Sequence, residues 1–138
     1  MLSGLLFSRN RFIGLVGGVF FVLLGAGGFL LTGGTRFFES EGGVLFTLIE
    51  LNPAQNVVHL LLGAVLVITA LRPTPVAALS NAIIGTIFLA LGILGLFVHE
   101  NDTLNVLALS TWGNALHFAS AAVLLGVGLG ADRTSKEK

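Results

Sequence analysis

Two histidines stand inside apolar runs, each preceded three residues earlier by an asparagine: Asn56-Val-Val-His59 and Asn114-Ala-Leu-His117. On a helix, residues spaced by three and four lie on one face. Asn56, His59 and Gly63 therefore share a line, and Asn114, His117 and Ala121 share another. The small residue one turn beyond each imidazole leaves room beside the ring. Imidazole titrates near neutrality and can ligate a haem or chlorophyll-type iron or magnesium ring. Three chemistries are open to this pattern. It can bridge helices by hydrogen bonds, hold a tetrapyrrole through paired histidines, or handle protons in a small transporter or channel.

Other chemistries find little support. There are no cysteines, which excludes disulfides, thiolate metal sites and a cysteine nucleophile. For a metal, only His99 and Glu100 could add ligands near the pair, too few for a closed site. Ser110 lies seven residues before His117 with no orienting carboxylate in sight, so no catalytic set is assigned and no enzyme is expected. Pumps and proton relays usually carry Asp, Glu or Lys at depth, and the apolar runs contain none of these. Formal net charge is zero, which argues against a nucleic-acid partner.

The elements that position the histidines follow from composition. Charged residues are 10% of the 138-residue chain and apolar residues 54%, whereas a soluble domain carries about 25% charged residues. So small a charged shell cannot cover a soluble fold. Crossing a hydrocarbon core of about 30 Å takes about 20 apolar residues. Four segments qualify, at about residues 12–32, 53–71, 76–98 and 111–130. The first is too long for a signal-peptide core and lacks a clear cleavage site, so it reads as a retained span. With four spans, Arg9, Arg11, Arg72, Arg133, Lys136 and Lys138 fall on one side. Arg36 falls on the other with Glu39, Glu41, Glu50, Glu100 and Asp102. The positive-inside rule puts the basic side, with both termini, in the cytoplasm. The expected fold is an all-α, integral membrane four-helix bundle in one domain, residues 1–138.

The spans repeat. With one offset Gly18 falls on Gly85, Gly25 on Gly92, Gly28 on Gly95 and Phe21 on Phe88; with a second, Asn56 falls on Asn114 and His59 on His117. Such coincidence marks a duplicated helical hairpin. Two same-oriented copies are related by a pseudo-twofold axis along the membrane normal, so the histidines are symmetry mates at one depth. The glycines let helix backbones approach closely where lipid gives little drive for association. Gly18, Gly25, Gly28, Gly63, Gly85, Gly92 and Gly95 are the expected packing positions, and a bound lipid is a further use of such a surface. Asn52-Pro53 and Ser110-Thr111 read as helix starts, cap followed by first helical residue. Mostly apolar stretches precede them, at about 44–51 and 104–109, and are expected to lie along the outer interface. Trp112 reads as an interfacial anchor and the stretch from Asp132 to Lys138 as a solvated tail.

The segment Asn52-Pro-Ala-Gln-Asn56-Val-Val-His59-Leu-Leu-Leu-Gly63, echoed by Asn114-Ala-Leu-His117, resembles a family of small bacterial four-span membrane proteins, the domain-of-unknown-function family numbered 4383. The likeness runs from about Phe12 to Gly130, with Ala121 where the first copy has Gly63. It implies a bacterial cytoplasmic-membrane location and the same fold, and it implies no activity. The expectation is a non-enzymatic scaffold or accessory subunit that packs against other membrane proteins or itself. The alternative is a tetrapyrrole protein using His59, His117, Asn56 and Asn114, and the third is a small transporter or channel.

Overall fold

The computed structural model describes residues 8–100 and 102–132. Its order is α1 (Arg9–Leu31), β1 (Gly43–Leu45), β2 (Ile49–Leu51), α2 (Pro53–Ala70), α3 (Thr74–Leu94) and α4 (Thr111–Gly130). The helices have 23, 18, 21 and 20 residues, each within the range of roughly 17–25 apolar residues that crosses a hydrocarbon core. The protein is a multi-pass membrane protein built on four helices.

Three of the four helices begin where a side chain takes up a free N–H group. Ser8 accepts from the Arg11 N–H at 3.3 Å, Asn52 from that of Gln55 at 2.8 Å, and Ser110 from that of Gly113 at 3.3 Å. Pro73 heads α3 without a side-chain cap, and Pro75 lies in its first turn, where proline removes no needed donor. The Asn52 and Ser110 caps stand where the sequence places them.

Packing is closest within the pairs α1–α2 and α3–α4, and glycine sets the approach. A β-carbon on Gly18 would lie 2.8 Å from the Gly63 carbonyl oxygen, and one on Gly25 would lie 2.6 Å from that of Asn56. The second pair repeats the scheme. Gly85 abuts Leu124 and Leu125, Gly92 abuts the Phe118 ring, and Gly95 takes the Asn114 amide as Gly28 takes that of Asn56. All seven glycines named as packing positions meet a facing helix. Between the pairs lies a small core of Phe21, Leu66, Ile84, Phe88, Ala121 and Leu124.

The end bearing the termini is tied by polar contacts. The fully buried Asn81 donates from Nδ2 to the Asn10 carbonyl oxygen at 2.9 Å and to its Oδ1 at 3.0 Å, joining α3 to α1. Arg11 Nε donates to the Ala70 carbonyl oxygen at 3.0 Å, a cation on a helix C-terminus. Asp132 belongs to this layer rather than to a solvated tail. Its carboxylate accepts from Ser8 Oγ at 3.0 Å, from the Asn10 N–H at 3.1 Å and from Asn10 Nδ2 at 3.1 Å. The expected tail beyond it lies outside the described residues.

The opposite end departs from expectation in two places. Residues 43–51 form an antiparallel hairpin pairing Gly43 with Leu51 and Leu45 with Ile49. It turns through Phe46 and Thr47 at φ 50° and 62°, a left-handed conformation costly for a bulky residue. The third helix stops at Leu94 instead of near Val98. Its end tightens into three-residue turns, with the Leu96 N–H on the Ile93 carbonyl and the Phe97 N–H on that of Leu94. Hydropathy reports depth in the bilayer, not backbone winding, so the apolar run outlasts the helix. Residues 104–109 form an irregular loop around the buried Asn105, which accepts from the Leu109 N–H at 2.7 Å and donates to its carbonyl at 2.9 Å.

Candidate functional site

His59 sits seven residues into α2 and His117 seven into α4, so equal helix starts put the two imidazoles at equal depth. A residue that touches its own symmetry mate must lie on the axis relating the copies. His59 and His117 do so, with Nε2 atoms 3.4 Å apart and both residues 1% exposed. Phe21 and Phe88 do so as well, stacked with centroids 4.4 Å apart. Phe21 lies 5.3 Å from the His59 ring and Phe88 5.8 Å from that of His117. The centre of the bundle is thus a closed cluster of four rings, two from each copy.

An Nε2-to-Nε2 hydrogen bond needs one ring to donate and the other to accept. A bond between two neutral rings would therefore give the two copies different tautomers, a difference of one proton's placement. Nδ1 of each ring is buried without a hydrogen-bond partner. The cluster is polar at its centre and apolar at its rim, an arrangement suited to aligning two hairpins.

The asparagines do not join the histidines. Asn56, fully buried, donates from Nδ2 to Thr32 Oγ1 at 2.9 Å, and Thr32 Oγ1 donates to the Gly28 carbonyl at 3.1 Å. Asn56 thus locks α2 to the last turn of α1. Asn114 faces Gly95 in the same way, but its amide has no hydrogen bond and lines a cavity at the α3–α4 outer end. The Asn-x-x-His element is two features: the histidine speaks across the axis, the asparagine within its own hairpin.

Sequence reasoning missed the Asn10–Asn81 contact and the Thr32 hydroxyl. A signal existed for the first, because Asn81 is a polar side chain within an uncharged span, the criterion that selected Asn56. Asn52 does more than cap. Its Nδ2 donates to the carbonyls of Glu39 at 2.8 Å and Val106 at 2.9 Å, gathering both outer loops onto α2.

Outside the spans, two carboxylates are perturbed in opposite senses. Burial, then the nearby Glu100 and Glu41 charges, pushes Glu50 above the ordinary carboxylate range. Burial also pushes Asp132 upward, but hydrogen bonds from Asn10, Ser8 and Arg9 outweigh it and hold the group below its ordinary value. Arg36 pairs with Glu39 at 3.1 Å. Among the described residues no three His, Asp or Glu side chains are placed to hold a metal ion.

A tetrapyrrole gripped between His59 and His117 does not fit this geometry. Axial ligation from both sides needs the macrocycle to lie between the imidazoles. Here their Nε2 atoms are within hydrogen-bonding distance, and Phe21 and Phe88 pack against the rings.

No curated protein and no solved structure matches the chain. The family model described as "Domain of unknown function (DUF4383)" matches residues 11–130, a stretch that holds nearly all of the four helices, the histidine pair and both asparagines. The chain belongs to the DUF4383 family.

Proposed function

We propose that the protein is a non-enzymatic component of the bacterial inner membrane that works by interaction. It serves as a scaffold or accessory subunit, packing against other membrane proteins or copies of itself. The observation that carries this reading is that three polar side chains within the spans, His59, His117 and Asn56, are each turned on a protein partner. His59 and His117 meet across the axis and Asn56 meets Thr32, all buried. Buried polar groups that are paired inside a fold specify its geometry, and in membranes such bonds are worth about 0.6 kcal/mol on average. What the helices offer outward is apolar, with Leu23, Leu30, Leu61 and Leu79 among the exposed side chains. Lipid is one neighbour of such faces and a protein helix is another. The basic side of the chain, with both termini, faces the cytoplasm under the positive-inside rule.

Purification in mild detergent with mass measurement tests this. Co-purification of a defined partner or a stable homo-oligomer is expected; a strictly monomeric species without partners counts against it. An absorption spectrum of protein from its native membrane, oxidised and reduced, should show no Soret or chlorophyll-type band. A band abolished by His59→Ala would replace the scaffold reading with the tetrapyrrole one.

A further inference from the structure

The two hairpins obey one scheme until their outer ends, where the second breaks it. In the first, α1 winds through Gly28 to Leu31 and delivers Thr32, whose hydroxyl accepts from Asn56 Nδ2. The offset that matches Gly28 with Gly95 matches Thr32 with His99. In the second hairpin α3 ends at Leu94 and the chain leaves it through tight three-residue turns, and His99 does not reach Asn114. The place of the missing hydroxyl is a cavity of about 440 Å³ lined by Gly95, His99, Glu100, Ser110, Thr111 and Asn114 among others. That volume lies in the range of small-molecule sites, about 300–1,000 Å³.

The walls state what they lack. Asn114 is 7% exposed and its amide is unpartnered, with Oδ1 buried against Gly95. Ser110 Oγ accepts from the Gly113 and Glu50 N–H groups at 3.3 and 3.4 Å, which leaves its own proton to donate. Glu100 Oε1 accepts from the Thr111 N–H and Oγ1 at 3.1 and 3.2 Å, and a carboxylate has further lone pairs to offer. Asn114 brings a donor, Nδ2, and an unpartnered acceptor, Oδ1; Ser110 brings a donor and Glu100 an acceptor, so the site calls for both functions at once. A hydroxyl is both, and it is the group that Thr32 supplies in the first copy. An ammonium could donate to Glu100 and to Asn114 Oδ1 but would leave the Ser110 hydroxyl and Asn114 Nδ2 without an acceptor. An anion meets Glu41, Glu50, Glu100 and Asp102 at this end, where Arg36 is already engaged by Glu39. Beside the cavity, Leu96, Phe97 and Trp112 are exposed, so an apolar chain on the ligand would find lipid.

We propose that the outer end of the α3–α4 hairpin binds a neutral polyhydroxylated group, a sugar or glycerol head, either free or carried on a lipid. The site is independent of the scaffold reading.

The protein in phosphatidylcholine nanodiscs is titrated with monoglucosyl diacylglycerol, following emission of Trp112, the single tryptophan, next to Thr111 in the chain. A saturable shift is expected. Asn114→Leu, which removes the amide and fills the cavity, should abolish it. Glu100→Gln keeps a carbonyl for Thr111 and should weaken binding about tenfold, as expected when a charge-assisted hydrogen bond becomes a neutral one. If Asn114→Leu fails to fold, Glu100→Gln decides. Methyl glucoside added to the solution separates the sources. The same saturation marks a free sugar site, and saturation by the glycolipid alone marks a lipid head site. No shift with either in folded protein, or equal binding of anionic phosphatidylglycerol, overturns the proposal.

Discussion

Replacing His59 by leucine should destabilise the bundle, and replacing both histidines should not destabilise it further. In His59→Leu, His117 keeps a buried ring whose Nδ1 already lacks a partner and whose Nε2 loses its only one. An orphaned buried polar atom costs about 1–3 kcal/mol in water-soluble proteins, while measured interhelical hydrogen bonds in membranes reach at most about 1.7 kcal/mol. The single change should therefore cost about 1–2 kcal/mol. Leucine approximates the imidazole in size and can lie against Phe21 and Phe88, so little cavity energy is added. His117→Leu mirrors it. The double variant removes both orphans together, giving a coupling of about 1–2 kcal/mol between positions that a shared bond joins. The assay is reversible unfolding in mixed micelles with increasing dodecyl sulfate, read by Trp112 fluorescence and helical circular dichroism. Additivity of the two single changes to within about 0.5 kcal/mol would refute the reasoning, because independent sites add and mutually satisfied ones do not.

Glycine substitutions should sort by what a methyl group would meet. Gly25→Ala drives a β-carbon to 2.6 Å from the Asn56 carbonyl oxygen and should cost several-fold more than Gly27→Ala, where nothing lies within 4 Å; the same unfolding titration ranks them, and equal effects would count against glycine-set packing. Asp132 is held below its ordinary value of 3.8, so its contribution is present above that value and lost as pH falls through the depressed one. Wild-type stability should decline on strong acidification, and Asp132→Asn should flatten that limb while lowering stability at neutral pH. Glu50 is shifted the other way from 4.5, so its folded state prefers the proton and stability falls as pH rises through the raised value. Glu50→Gln should raise stability at neutral pH and remove this dependence, as unfolding at pH 4 and 7.5 would show; an unchanged pH profile would mean that Glu50 is not the group responsible.

Local chemistry made much of the bundle legible. Asn52 and Ser110 are caps because of their own side chains and the residues just after them, so no distant information was needed. Gly18, Gly25 and their mates could be assigned to packing because a duplicated hairpin repeats its contacts with its residues. The meeting of His59 and His117 was not determined this way, since helix rotation about its own axis is set by contacts between hairpins, not by the repeat itself. The Asn10–Asn81 bond joins residues 71 apart that are not symmetry mates, and neither periodicity nor duplication points from one to the other. The 43–51 hairpin hid for another reason. Its strands are three residues long, and its turn uses Phe46 and Thr47 instead of the Asn-Gly type that usually announces left-handed turn residues. At the cavity the misleading cue was continuity, as the apolar run through Val98 conceals the end of α3 at Leu94.

The carboxylate of Asp132 on the first turn of α1 also sets an order of events. A ribosome makes Ser8, Arg9 and Asn10 more than a hundred residues before it makes Asp132. Through that interval the start of the first helix has Ser8 Oγ for the Arg11 N–H and no Asp132 for those of Arg9 and Asn10. Insertion of the last span supplies what the first has lacked since it emerged. Closure of this end therefore registers that the fourth span has been made, and nascent proteins halted before Asp132 should expose the start of α1 to protease or exchange while those that carry Asp132 protect it.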